Sequence, residues 1–291
     1  MRTEIFVYDA FTDKPGKGNP AGVVFDAGGM TDDAMQETAK KLGFNESVFI
    51  LRETDGGLRF RYFTPGREVP VCGHATVAGA YALAERGIIR TGMYTIRTGA
   101  GELPVSIRSG ERFEIGMTQI PYREQPFSGS LESLARSIGL NAEALDTRYP
   151  VCYASTGLWT LLVPVRRLAD FERMCPQTVA FPSVLTENER ASIHPFCLET
   201  YRADCEMHGR HFSSPFSETV EDPVTGTASG AMGAYFKRHI GCSGDELILR
   251  VEQGNEIGRE GTVTVHVPAD PDAPVTICGT AVFTEMRQIE I

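Results

Sequence analysis

The sequence predicts an α/β protein made of two halves of like construction, each with a central helix wrapped by strands. Three observations carry that expectation. Short runs of strand character alternate with only a few helices along all 291 residues. Two stretches, "VPVCGHATVAGAY" (69–81) and "EDPVTGTASGAMGAY" (221–235), begin helices built almost wholly from small residues. The segments around them also match: "RYFTPGREVPVCGHATVAGAYALAERG" against "RHFSSPFSETVEDPVTGTASGAMGAYFKRHIG". Each has Arg, an aromatic and Phe, then a hydroxyl residue and proline, a glycine-led helix start, Gly-Ala-Tyr and a closing glycine. A helix of small side chains offers little apolar volume of its own, so its neighbours must approach closely to bury it.

The elements follow in order. "MRTEIFVYDAF" reads directly as a strand, without the long apolar core of a signal peptide. "TDDAMQETAKKLG" is a helix with Thr31 as N-cap, Asp32 and Asp33 in its first turn and Gly43 as its stop. Strand character resumes at Val48 to Leu51, and "LRFRYF" (58–63) alternates with period two. "GMYTIRTGAGELPVSIR" is two strands joined at Gly-Ala-Gly, and "RFEIGM" is a third. "PYREQPFSG" has two prolines and no periodicity, which makes it the linker. Beyond it, Leu131, Leu134, Ala135 and Ile138 stand at helical spacing before Gly139. The runs "WTLLVPV", "CLETYR", "ELILRV", "TVTVHV" and "VTICGTAVF" read as strands. The last is expected to pack back onto the first half. The halves are then 1–120 plus 279–291, and 121–278.

Composition removes several functions. A net charge of −10 argues against non-specific nucleic-acid binding, which rests on Lys and Arg neutralising phosphates. No apolar run reaches the ~20 residues of a membrane span. The seven cysteines are scattered without a CxxC pair, which suits a reduced compartment and makes the cytoplasm the expected location. "TGAGEL" lacks the third glycine of a dinucleotide fingerprint, and "GKGNPAG" is no phosphate-binding loop. There is no HExxH, no cysteine-histidine cluster that offers a zinc site and no GxSxG. Neither a cofactor nor a metal is expected.

The paired helix starts suggest a use. The first turn of a helix carries N–H groups without internal partners and the positive end of the dipole. Glycine lets a ligand come close to those donors. Two such starts facing one cleft would grip a carboxylate, or the enolate-like oxygens that develop when a proton leaves the neighbouring carbon.

The side chains that could move that proton each have a plain reading as well. Glu46, in "GFNESVF", is either an exposed glutamate at a strand start or an acid/base carboxyl walled by Phe44, Val48 and Phe49. His74 follows Gly73 at a helix start, where the dipole favours the neutral ring; it is either a packed histidine or a hydrogen-bonding partner of substrate. Asp222 precedes a proline and serves either a turn or the orientation of an imidazole or substrate amine. Thr227, like Thr76, either satisfies helix-start donors or binds substrate. Cys72 beside a helix N-terminus suits proton abstraction, yet cofactor-free racemases use two opposed thiols. The matching position in the second half is Thr225, which leaves Cys72 as a small buried residue.

These motifs resemble those of the PhzF-like phenazine-biosynthesis isomerase family, relatives of diaminopimelate epimerase. The likeness rests on "DAFTDKPGKGNPAGVV", "GFNESVF", "FTPGREVPVCGHAT", "STGLWTLLVPV", "EDPVTGTASGAMGAY", "EQGNEIGREG" and "CGTAVF", in that order over nearly the whole chain. It is nearest the subgroup with Cys-Gly-His-Ala-Thr. The resemblance implies two similar halves, each a curled sheet or barrel around a central helix, with the site in the cleft between them. It implies a metal-free, cofactor-free isomerase acting on a small carboxylate, and a homodimer. Glu46 would take a proton from one carbon and return it to another, with His74 and Asp222 bonding the substrate's polar groups. Gly73, Gly226 and Thr227 would hold the carboxylate, and Asn19 and Cys72 would line the same site. Two departures stand out: Asn45 and Ser47 flank Glu46 where the family shows Ser-Glu-Thr, and Thr227 replaces a serine. Both put the phenazine precursor in doubt as substrate. Two other readings are a Cys72-based racemase, epimerase or dehydratase and a catalytically idle relative that binds a protein partner.

Overall fold

Thr31 starts the first helix because its hydroxyl accepts the Ala34 N–H at 3.2 Å, and Gly43 ends it in the left-handed region at φ 69°. This is α1 (Asp32–Leu42); its Met35, Ala39 and Leu42 pack with Ile5, Phe49 and Phe63. A computed structural model describes residues 2–214, 216–217, 219–241 and 244–291. The chain divides into one unit of Met1–Thr118 with Cys278–Ile291 and a second of Gln119–Ile277. Among the described residues the other α-helices are α2 (Gly73–Glu85) in the first unit and α3 (Leu131–Ser137), α4 (Phe181–Val184) and α5 (Gly226–Phe236) in the second. Among the described residues no helix is long and apolar enough to cross a membrane.

In the first unit the strand Ala281–Glu290 pairs antiparallel with Arg2–Ala10, which pairs antiparallel with Asn19–Val24. Asn19–Val24 runs parallel to Glu46–Arg52, and Leu58–Phe63 follows antiparallel. Gly92–Thr98 lies parallel beside it, and Gly101–Ser109 and Phe113–Thr118 complete the run antiparallel. α2 touches strands from both ends of that series, so the sheet curls around it. Every residue from His74 to Ala84 is buried. That all-round burial is why the helix is apolar on every face rather than amphipathic.

The second unit repeats the plan. Arg123–Pro126, Cys152–Ser155 and Trp159–Pro164 are antiparallel neighbours. Ser192–Cys197 runs parallel to the last of them, followed by Met207–Gly209, then Leu247–Gln253 in parallel and Gly261–Val267 antiparallel. α5 packs against Gly261–Val267 and Cys152–Ser155, strands near opposite ends of the series. Away from α5, Leu134, Tyr153, Leu161, Phe171, Phe181, Ile193 and Phe212 form an apolar core.

The small side chains of α2 and α5 are explained by what lies against them. A Cβ on Gly79 would stand 3.0 Å from a ring carbon of Phe60 and 3.2 Å from Val48 Cγ1. One on Gly233 would stand 2.6 Å from Val265 Cγ1. The strands have closed onto the helices to ordinary contact distance, leaving no room for a methyl.

Three expectations are corrected. "PYREQPFSG" is not featureless: Arg123–Pro126 is a strand, held by its ladder to Cys152–Ser155, which no local pattern announces. The strand expected at "CLETYR" is instead Ser192–Cys197, buried at all six positions, so it lacks the period-two signal. "VTICGTAVF" is two strands, Thr276–Gly279 and Ala281–Glu290, parted at Thr280. In the matched segments, Pro215 lies outside the described residues.

Candidate active site

Asn19 begins a strand directly after Gly18, whose φ of 62° keeps the backbone in the left-handed region. A Cβ there would strike the Ala10 carbonyl, so glycine is required at that turn. The turn delivers Asn19, fully buried, to the start of α2. Its Nδ2 lies 3.1 Å from Nδ1 of His74. An amide N–H donated to Nδ1 would leave the proton of a neutral imidazole on Nε2. Nε2 in turn lies 3.5 Å from Oε2 of Glu46. His74 is 5% exposed and the Glu46 side chain 24%, so one partner is sealed and the other reaches solvent.

Cys72 completes the group. Its Sγ is 3.5 Å from Nδ1 and 3.9 Å from Nε2 of His74, and the thiol is buried. One ligand-type atom from each of Glu46, Cys72 and His74 lies within 4.8 Å of the others. Four of the residues singled out in the sequence, Asn19, Glu46, Cys72 and His74, therefore converge. Cys72 and His74 are neighbours in the sequence already; what the fold adds is Glu46, brought by its strand to the start of α2.

The start of α5 is built to the same pattern. Cys72 and Thr225 are the N-caps, both extended, and neither side chain caps the first turn. Thr76 Oγ1 donates to the Cys72 carbonyl at 2.6 Å, and Ser229 Oγ donates to the Thr225 carbonyl at 3.0 Å. The register this sets equates Cys72 with Thr225 and His74 with Thr227. It also corrects one reading: the hydroxyl of Thr76 binds a carbonyl, not the helix-start N–H groups, because it sits a full turn inside the helix.

Asp222 is held in place around that second start. Thr225 Oγ1 donates to its Oδ2 at 2.6 Å. Gln253, 1% exposed, accepts the Thr225 N–H at 3.1 Å and donates to the Asp222 carbonyl at 2.7 Å. Asp222 also faces His211 across an antiparallel ladder, and His211 Nδ1 is 3.1 Å from His194 Nδ1. Burial pushes His211 below the ordinary histidine value, against the pull of Asp222. Burial, with the nearby His211 and His208, pushes His194 well below it. His208, wholly buried, sits 3.1 Å from Glu252 and 3.0 Å from Glu256. Burial alone would lower it, but the bonds to those two carboxylates outweigh that and leave it raised.

Sequence reasoning missed Gln253 and the histidines. Gln253 lies in "EQGNEIGREG", a stretch visible as a motif but with no chemistry attached. His194 and His211 fall in buried or short strands with no spacing that links them.

Comparison with known proteins places these residues in context. A family model described as phenazine biosynthesis-like protein matches residues 8–287. The chain is 45% identical over 291 residues to the uncharacterized isomerase YfhB of Bacillus subtilis, covering 99% of each chain. A PhzF-family phenazine biosynthesis protein of Bacillus anthracis, solved as a crystal structure, is 49% identical, with a TM-score of 0.97 and all of both chains covered. A hydroxyproline epimerase of Agrobacterium vitis, 12% identical, shares the fold with a TM-score of 0.61, covering 99% of this chain and 92% of that one.

Proposed function

Since the chain belongs to the phenazine biosynthesis-like (PhzF) family and is an enzyme of its isomerase kind, we propose that Glu46 is its single acid/base. It takes a proton from one carbon of a small carboxylic or amino acid and returns it to another. The observation that carries this reading is the contact between Glu46 Oε2 and His74 Nε2 at 3.5 Å. A half-buried carboxyl beside a fixed ring N–H can exchange a proton with substrate while the ring bonds the charge that develops.

The other residues divide the remaining work. Asn19 fixes the tautomer of His74, so that its N–H points outward from the ring towards Glu46. The first-turn N–H groups after Gly73 carry the positive end of α2 and suit a carboxylate. Asp222, Gly226 and Thr227 are assigned to the substrate's polar groups, with Asp222 oriented by Thr225. These groups suffice for proton transfer without a metal, flavin or nicotinamide. Turnover is therefore expected to survive exhaustive chelation.

Glu46→Gln keeps shape and hydrogen bonding but removes the titrating group. It is expected to lower turnover about a hundredfold to ten-thousandfold, while calorimetry still detects carboxylate binding. Full activity in this variant would reject the assignment.

A second reading has its own observation. Cys72 Sγ lies as near His74 as Glu46 does, at 3.5 Å. A thiol there could serve an epimerase, although the equivalent position at α5 is a threonine. Under the Glu46 reading, Cys72→Ala leaves most activity and causes only slight destabilisation from a small void.

A further inference from the structure

Three arginines that the proposed mechanism leaves unused converge on one cavity. Arg166, Arg167 and Arg173 line a hollow of about 320 Å3 together with Gly139, Asn141 and Glu143. It lies wholly within the second unit and shares no residue with the candidate active site. Its walls are the turn after α3 and a 3-10 helix, Leu168–Arg173. Backbone bonds fasten them together: the Arg166 N–H donates to the Ala144 carbonyl at 2.9 Å, and the Cys175 N–H to the Ile138 carbonyl at 3.0 Å. Gly139 takes φ 82°, and a Cβ there would stand 2.7 Å from the Cys175 nitrogen, so the walls meet where only glycine fits.

The guanidiniums are anchored but not used up. Arg166 Nε donates to the Leu145 carbonyl at 2.9 Å. Arg173 Nη2 donates to Oδ1 of Asp170, and Arg167 Nη2 approaches the same oxygen at 3.5 Å. Asp170 is 1% exposed, so the anchor is sealed while the arginines it holds stay open to solvent. Among the described residues Arg166 bonds only through Nε and the other two side chains only through Nη2, which leaves the rest of each fork unengaged. Three guanidiniums against the carboxylates of Asp170 and Glu143 leave these walls one positive charge in excess, in a chain of net charge −10. Like charges gathered in this way repel, and an oxygen-rich anion between them removes the repulsion.

We propose that this cavity binds a phosphate monoester of a small hydroxylated compound. Three forks suit the three terminal oxygens of a phosphoryl group, whereas a carboxylate offers two oxygens in one plane. The volume is that of a small-ligand pocket, ~300 Å3 or more, and leaves room for the organic part. Asn141 and Glu143, whose side chains make no hydrogen bond to the described residues, meet its hydroxyls.

The test uses the full chain with glycerol 3-phosphate, inorganic phosphate and malonate, each alone. Calorimetry should find one saturable glycerol 3-phosphate per chain, bound more tightly than inorganic phosphate and about tenfold or more above malonate. The Nε–Hε NMR signals of Arg166, Arg167 and Arg173 should shift along the same saturation curve. Arg166→Gln and Arg167→Gln are exposed changes that leave the Arg173 bond to Asp170 in place. Each should weaken binding by about ten- to a hundredfold. Arg167→Lys should recover only part of that loss, because it restores charge without the fork. Asn141→Ala should erase the advantage of the ester over phosphate. No saturable binding would overturn the site. So would binding unchanged in both arginine variants, which would put the anion elsewhere, such as the helix starts of the candidate active site. Malonate bound as tightly as the ester would reject the phosphoryl assignment. The Glu46 reading stands or falls separately, since no residue is shared.

Discussion

In the proposed mechanism Glu46 depends on what fixes the group it faces, and that is Asn19 acting through His74. These residues were legible in the sequence because each stands beside a glycine or in a run that no core would require: Gly-Asn-Pro, Asn-Glu-Ser, Cys-Gly-His. His194 and His211 gave no such signal, since their meeting depends on strand pairing between residues far apart. Their burial has a measurable consequence. His194 is neutral in the fold, whereas in the unfolded chain it takes up a proton below about pH 6.5. The unfolded state then binds more protons, so stability falls as pH drops below about 6.5, by up to ~1.4 kcal/mol per pH unit for this one group. His208 has the opposite sign: its raised value means its contribution is complete below about 6.5 and fades as pH rises through its folded value. Thermal melts between pH 8 and pH 5 should show the acid-side loss, and His194→Gln should flatten it. An unchanged acid limb in that variant would place the loss elsewhere.

At the scale of elements, α2 and α5 explain one another. Each starts Gly-x-Ala-hydroxyl, and each hydroxyl bonds its N-cap carbonyl, so the likeness read between the two segments extends to hydrogen bonds. The helices were legible from composition alone, and so was α1 from its cap and stop. Ser192–Cys197 and Arg123–Pro126 were not, because the first is buried on both faces and the second depends on its partner strand. Tight wrapping predicts a cost for enlargement. Gly233→Ala gains up to ~1 kcal/mol of helix propensity. It also drives a methyl to 2.6 Å from Val265 Cγ1, on a β-branched side chain with little freedom to yield. Overpacking should win, with a net loss of about 1–3 kcal/mol in denaturant unfolding. A stabilised variant would show that the strand relaxes away.

For the molecule as a whole, family membership and fold follow from motifs and matched architecture, while the identity of the substrate does not. Gln253 and the buried histidines take their partners from strands far apart in the sequence, so no local pattern announces them. What distinguishes the proposed chemistry is where the proton goes. A single glutamate that shuttles a proton between carbons leaves solvent deuterium at a carbon other than the one that lost hydrogen. A thiol-based epimerase leaves it on the same carbon, with inverted configuration. The most direct measurement is therefore to incubate a panel of small carboxylic and amino acids with the enzyme in heavy water and locate deuterium by NMR. The wild type and Cys72→Ala should transpose the label to a new carbon, and Glu46→Gln should incorporate none. Deuterium confined to one inverted stereocentre, retained in Glu46→Gln and lost in Cys72→Ala, would contradict the single-glutamate mechanism.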